Sequence, residues 1–200
     1  DNGGIPVVMH QDAGVYVPEF IFGQLRTSSN YNDSEDRDVI GTNGIGSKIA
    51  SIFATKFNVY TADGNKSYSR SWSNNMRNLD DNLVVKDCKR HFTEISFNID
   101  FDKFDDVTSL SDGFINIIEK RCIDAAAANT GLEVTFIHTN NGEEVRNIKW
   151  KFKKFEEYIE LYNNYIDKDN VVSFSDNQKS VWIYPDGNIN IGFVNGAECS

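Results

Sequence analysis

The chain has 200 residues, with 20 Lys and Arg against 30 Asp and Glu, a formal charge of −10 at pH 7. Its 40% hydrophobic and 12% aromatic content exclude a disordered tail or a fibrous repeat, and the acidic balance excludes a surface that grips a phosphate backbone throughout. Three cysteines (Cys88, Cys122, Cys199), an odd number without CxxC spacing, argue against a disulfide framework or a zinc site and fit a reducing compartment. No apolar run approaches the roughly 18 residues of a membrane span, and no signal-peptide pattern is present.

In chain order, Asp1–Pro6 reads as a glycine-rich turn, and Pro18 opens a short helix over EFIFGQL. Residues 27–46 have no hydrophobic period and read as a long polar loop. The loop runs into a helix over SKIASIFATKF, whose Ile49, Ile52 and Phe53 share a face. From Phe57 the period drops to two: FNVYTADGNKSYSRSW predicts a hairpin turning at Asp63-Gly64-Asn65. Further strands are expected at Leu83–Val85, Phe92–Phe101 and LEVTFIH, and a long helix over about 108–128 with Ser109 or Ser111 as N-cap. KKFEEYIELYNNY reads as a helix with Phe155, Tyr158, Ile159 and Tyr162 on one face, and the final third as strands around Pro185-Asp186-Gly187. A domain boundary is expected near 165–170.

Two glycine-rich turns carry candidate chemistry. Gly41-Thr42-Asn43-Gly44-Ile45-Gly46-Ser47-Lys48 opens directly into a helix, where free N–H groups and a lysine suit a phosphate; a structural helix-entry turn accounts for the spacing as well. Ser28, Ser29 and Asn30 offer further donors, or form an ordinary solvated loop. Asp1 is placed to accept from an adenine amino group or to stabilise its own turn. His10, His91 and His138 are scattered without metal-ligand spacing and read as surface or structural residues. Arg146, Lys149, Lys151, Lys153 and Lys154 form the one basic cluster, read as a solvated face beside a helix.

Together, DNGGIPVVMH, VYVPEFIFGQLRTSSNYND and GTNGIGSKIASIF resemble the ATPase region of type IIA DNA topoisomerases, nearest to the eukaryotic and viral branch. SWSNNM, FTEISFNIDFDKF, FKKFEEYIELY and FVNG extend the resemblance over nearly the whole chain. It implies an α+β fold, the GHKL (Bergerat) α/β sandwich, with a mixed, mostly antiparallel sheet and helices on one face. In domain terms it implies residues 1–168 as the ATP-binding domain and 169–200 as the start of a transducer domain. It implies ATP and Mg2+ as cofactors. Double-stranded DNA is the implied partner, held mainly by other regions of the enzyme, in a homodimer or heteromeric topoisomerase assembly without a membrane. The implied location is intracellular: bacterial cytoplasm for a phage enzyme, nucleus or viral factory for a eukaryotic or viral one.

Residue by residue, the resemblance puts Asp1 at the adenine and Ser28, Ser29 and Asn30 at the ribose and phosphates. Gly41, Thr42, Asn43, Gly44, Ile45, Gly46, Ser47 and Lys48 match the lid over the triphosphate, and Thr93 joins the adenine site. One residue is missing from the DNGxGIP turn, and Thr42 stands where many relatives carry arginine. In the family the water-orienting glutamate and the Mg-binding asparagine precede this segment, and the γ-phosphate lysine follows it. No catalytic residue or metal ligand is therefore assigned here, and the 200-residue piece alone is expected to be inactive. Glu19, a carboxylate in the wrong motif for a base, is expected at the helix surface. Two other readings are a GHKL chaperone or MORC-like ATPase, which TSSNY and YVP…IFG disfavour, and a non-catalytic nucleotide-binding fragment.

Overall fold

The computed structural model describes residues 3–25, 44–161, 181–186 and 189–194. The chain divides into two compact units, residues 1–109 and 110–200.

The first unit is built on a hairpin. Strand β1 (Ala54–Asp63) and strand β2 (Lys66–Ser73) pair antiparallel, with Phe57 opposite Trp72 and Thr61 opposite Tyr68. The turn forms where expected because the Asp63 carboxylate accepts from the amides of Asn65 (2.9 Å) and Lys66 (2.8 Å), an Asx-type closure. Strand β5 (His91–Ile99) lies on the other side of β1, while β3 (Asn78–Leu79) and β4 (Val84–Asp87) both pair with β2. All these ladders are antiparallel.

Strand alternation sends Phe57, Val59 and Thr61 to one face, together with Trp72, Arg70 and Tyr68 across the ladder. Helix α1 (Val17–Gly23), with Pro18 in its first turn, and helix α2 (Gly46–Ile52) cover this face. Phe22, Phe57, Val59 and Trp72 form its buried core, each such side chain contributing about 1.5–3 kcal/mol of burial. Gly23 lets α1 approach this core closely, since a Cβ there would lie 3.1 Å from the Trp72 ring.

Helix α2 departs from the expected pattern. It ends at Ile52, and the predicted helical ATKF is the start of β1. Its buried residues are Lys48 (1% exposed) and Ser51 (0%), while Ile49 and Phe53 are 49% and 38% exposed. The apolar i, i+3, i+4 spacing therefore does not mark the buried side.

In the second unit, helix α3 (Asp112–Ala128) is N-capped by Ser111, whose hydroxyl accepts from the Phe114 amide at 3.2 Å. Ala126 and Ala127 pack with Phe152 in a small core. Strands β6 (Val134–Asn140) and β7 (Glu143–Trp150) pair antiparallel across the Asn141-Gly142 turn. Strand β7 was not expected: the charged stretch from Arg146 is a strand of alternating exposure, not a helix flank. Helix α4 (Phe155–Glu160) buries Ile159 and is capped by Leu161, and the rest of the predicted helix, residues 162–165, lies outside the described residues. Strands β8 (Val181–Asp186) and β9 (Ile189–Val194) pair with each other in a separate two-stranded sheet.

Candidate functional site

The described part of the site lies at the end of the β1–β5 ladder, where Thr61 stands opposite Thr93 and Asp63 opposite His91. The segment from Gly3 to Val7 is fastened to this end. The Ile5 amide donates to Thr61 Oγ1 at 2.9 Å and the Val7 amide to Asp63 Oδ2 at 2.8 Å, each bond joining residues 56 apart in sequence. Just before them, Gly4 takes φ +67° and presses its Cα onto β1: an added Cβ would lie 1.9 Å from the Ala62 carbonyl oxygen. The His91 ring meets Gly3 through Nδ1, 3.2 Å from its carbonyl oxygen; as a carbonyl only accepts, Nδ1 is the donor in this contact.

Thr61 is fully buried and makes three polar contacts through one oxygen. It receives the Ile5 amide, lies 2.9 Å from the Phe92 carbonyl oxygen, and lies 3.0 Å from Thr93 Oγ1. Thr93, half-buried, is thus linked through Thr61 to the glycine-rich segment. Asp63 receives three backbone N–H groups on its two oxygens. The Lys66 amide first, then those of Val7 and Asn65, pull its pKa from an ordinary 3.8 to about 2.

A second group of candidate residues forms the entry to α2. Gly44 takes φ +59°, the Lys48 amide donates to the Ile45 carbonyl at 2.9 Å, and Lys48 Nζ donates to the Gly44 carbonyl. Gly44, Ile45, Gly46, Ser47 and Lys48 therefore form one turn, and Lys48 bends its ammonium back onto it. Burial lowers the Lys48 pKa, because the charged form loses solvation. Asp1, Ser28, Ser29, Asn30, Gly41, Thr42 and Asn43 lie outside the described residues.

Glu19 is not the surface carboxylate expected. It lies 3.2 Å from Arg70 on β2 and accepts from the Tyr68 hydroxyl at 3.4 Å, with Glu19 and Arg70 side chains 13% and 15% exposed. Burial first, then the Glu19 charge, raises the Tyr68 pKa and keeps it a neutral donor. The reason is geometric: Glu19 follows Pro18 in the first turn of α1, on the side of the helix that meets the sheet.

The other expected bystanders are structural where they are described. His10 stacks on Phe20 with ring centroids 4.1 Å apart and accepts from the Ala13 amide. Arg146 pairs with Glu119 at 2.7 Å and Lys149 with Glu133 at 2.9 Å, which takes two members of the basic cluster into separate ion pairs. Among the described residues no group of three or more His, Cys, Asp or Glu side chains is placed to hold a metal ion. No helix among them is long and apolar enough to cross a membrane.

Sequence reasoning missed Thr61 and Asp63. Strand alternation in TAD puts both on the inward face, but their partners come from a distant segment.

Comparison with known proteins gives a consistent result. The chain is 40% identical over 174 residues to DNA topoisomerase 2 of Bombyx mori and 39% identical over 165 residues to the probable DNA topoisomerase 2 of Dictyostelium discoideum. These alignments cover 85% and 81% of the chain but 11% and 10% of the relatives, so the chain spans about a tenth of their length. No family profile matches. The structure superposes on the ATPase region of Saccharomyces cerevisiae topoisomerase II with a TM-score of 0.76 at 28% identity, covering 97% of this chain and 47% of that one. It also superposes on the ATPase and transducer domains of DNA topoisomerase II from Balamuthia mandrillaris, with a TM-score of 0.67 at 34% identity, covering 82% and 41%.

The fold is thus the α+β architecture of an ATPase region, an antiparallel sheet with helices. The chain belongs to the type II DNA topoisomerase family and corresponds to its ATPase region.

Proposed function

We propose that this chain supplies the ATP-binding part of a type II DNA topoisomerase that passes one DNA duplex through a transient double-strand break in another. The observation that supports the reading is the tie from the Gly3–Val7 segment, which follows Asp1 in the chain, through Thr61 to Thr93 at one end of the sheet.

In this reading Asp1 and Thr93 hold the adenine, and Ser28, Ser29 and Asn30 reach the ribose and phosphates. The turn from Gly41 to Lys48 closes over the triphosphate, where backbone N–H groups and the Lys48 ammonium meet negative charge. The donor set fits the nucleotide: Lys48 is a buried ammonium turned onto a glycine turn, and burial strengthens its attraction to phosphate. Mg2+, when bound, neutralises charge that develops on the phosphates. The residues of this chain act by positioning, and none of them is assigned as the base.

ATP binding closes a dimer gate, the enzyme working as a homodimer or within a heteromeric assembly, and DNA is held mainly by other regions. Residues from about 169 onward begin the transducer domain. The enzyme works inside the cell: in the bacterial cytoplasm if phage-encoded, in the nucleus or a viral factory if eukaryotic or viral.

Calorimetric titration of the intact protein with a non-hydrolysable ATP analogue tests the reading. Binding that Lys48→Met weakens supports it, and absence of any nucleotide binding overturns it.

A further inference from the structure

We propose that Asn75 is a positioning residue for the triphosphate end of the nucleotide site: it locks the junction between α2 and β1, and so fixes where Lys48 and its turn stand, without touching the ligand. The inference rests on the assignment of the turn ending at Lys48 to the triphosphate in the proposed function.

The chain leaves β2 in a strained conformation. Asn74, Asn75 and Met76 take φ +52°, +58° and +66° in succession. Asparagine enters the left-handed region at modest cost, as a single residue, and methionine seldom enters it at all. Strain of this kind persists only where surrounding contacts over-determine it. Met76 packs against the buried core of Phe22, Phe57 and Trp72, and the two asparagines reach the start of β1.

That start follows α2 with a single residue, Phe53, between them. Its carbonyls are held from two directions. The Thr55 carbonyl accepts from the Asn74 amide at 3.1 Å, and the Ala54 carbonyl from the Asn75 amide at 3.1 Å and from Asn75 Nδ2 at 3.4 Å. The Phe53 carbonyl accepts from the Asp100 amide at 2.9 Å, in the segment that follows β5. Asn75 Nδ2 also donates to Asp100 Oδ2 at 2.8 Å, and Asp100 is 9% exposed. One side chain thus joins the two segments that clamp the junction, and its bond to a carboxylate is of the stronger, charge-assisted kind.

Lys48 stands about 9 Å from Ala54, six residues at the rise of a helix. Helix α2 has only two turns, so a tilt at its exit carries Lys48 and the turn from Gly44 with it. Thr61, opposite Thr93, lies about 23 Å from Ala54 along β1, seven residues at the rise of a strand. Loosening the junction therefore lowers the fraction of molecules with Lys48 in place, and apparent affinity for phosphate falls by that fraction. The far end of the ladder is left as it was.

Titration of the intact protein and its variants with inorganic tripolyphosphate and, separately, with adenosine tests this. Asn75→Gly keeps the backbone bond to Ala54 and suits the positive φ, so a loss belongs to the missing side chain. Tripolyphosphate should bind about three- to tenfold more weakly, with adenosine unchanged. Asp100→Ala should have the same effect, and the double variant no more than either alone, because both changes remove one bond. Asp100→Asn keeps an acceptor for the Asn75 amide and should bind tripolyphosphate as the unaltered protein does.

Unchanged tripolyphosphate affinity in Asn75→Gly overturns the inference while the nucleotide-site reading stands. So does a loss shared equally by adenosine, the mark of a merely structural role, and so do single losses that multiply in the double variant. Asp100→Ala against Asp100→Asn repeats the comparison without altering the strained turn, and equal losses in those two also overturn the inference. Failure of the unaltered protein to bind either ligand overturns the nucleotide-site reading, and the inference with it.

Discussion

The backbone amide of Val7 donates to the carboxylate of Asp63 at 2.8 Å, and the same carboxylate closes the β1–β2 turn through Asn65 and Lys66. One side chain thereby joins a hairpin turn to the glycine-rich segment 56 residues earlier. Its three N–H donors hold the Asp63 pKa at about 2, below its ordinary 3.8. A depressed folded-state pKa contributes stability that is present above pH 3.8 and lost as pH falls toward 2. Hydrogen exchange of the Val7 amide should therefore accelerate across pH 4 to 2, after correction for intrinsic rates. In Asp63→Asn that acid step should be absent and Val7 poorly protected throughout, because a carboxamide has one acceptor oxygen to share among these donors.

Gly4 is expected to tolerate no side chain. At φ +67°, with the Ala62 carbonyl oxygen 1.9 Å from an added Cβ, Gly4→Ala must move the segment off β1. Strain of this kind costs about 1–3 kcal/mol. Faster exchange of the Ile5 and Val7 amides, together with about tenfold weaker binding of an ATP analogue, is the expected outcome.

The Glu19–Arg70 pair is predicted to be a matter of stability and not of catalysis. Removing one partner of a largely buried pair leaves an uncompensated charge, and Glu19→Ala should cost about 3 kcal/mol in denaturant unfolding. The shape of the pH–rate profile for ATP hydrolysis by the intact protein should not change. A lost acidic limb in that profile would make Glu19 a base.

Lys48 should separate phosphate affinity from folding. Lys48→Met keeps the buried aliphatic stem and removes the ammonium, so the fold should persist. ATP-analogue affinity should fall by about ten- to hundredfold, the equivalent of about 1.5–3 kcal/mol for a charged hydrogen bond. Adenosine, without phosphates, should bind both proteins alike.

Elements governed by local pattern were legible in the sequence. The period of two from Phe57, the Asp63-Gly64-Asn65 turn and the Ser111 cap all appear where their residues dictate. The entry to α2 was less so, because it turns Lys48 and Ser51 inward while leaving Ile49 and Phe53 exposed, the reverse of an apolar-stripe reading. Strand β7 was hidden by its charges, although Arg146, Ile148 and Trp150 alternate on its more buried side. Thr61 and Asp63 share the face of Phe57 and Val59 by strand alternation, but alternation carries no information about which distant backbone group a polar residue on that face will meet. The motif residues of the site were visible as residue types, and the contacts that align them are long-range.

The central claim, that the end of the β1–β5 ladder is the adenine side of an ATP site, is tested most directly by titrating Thr93→Val and the unaltered intact protein with a non-hydrolysable ATP analogue and, separately, with inorganic tripolyphosphate. Thr93→Val leaves Thr61 bonded to Ile5 and Phe92, so the fold should be kept. The account predicts about five- to tenfold weaker binding of the ATP analogue, one neutral hydrogen bond's worth, with tripolyphosphate affinity unchanged. Equal affinity of both proteins for the ATP analogue would contradict it.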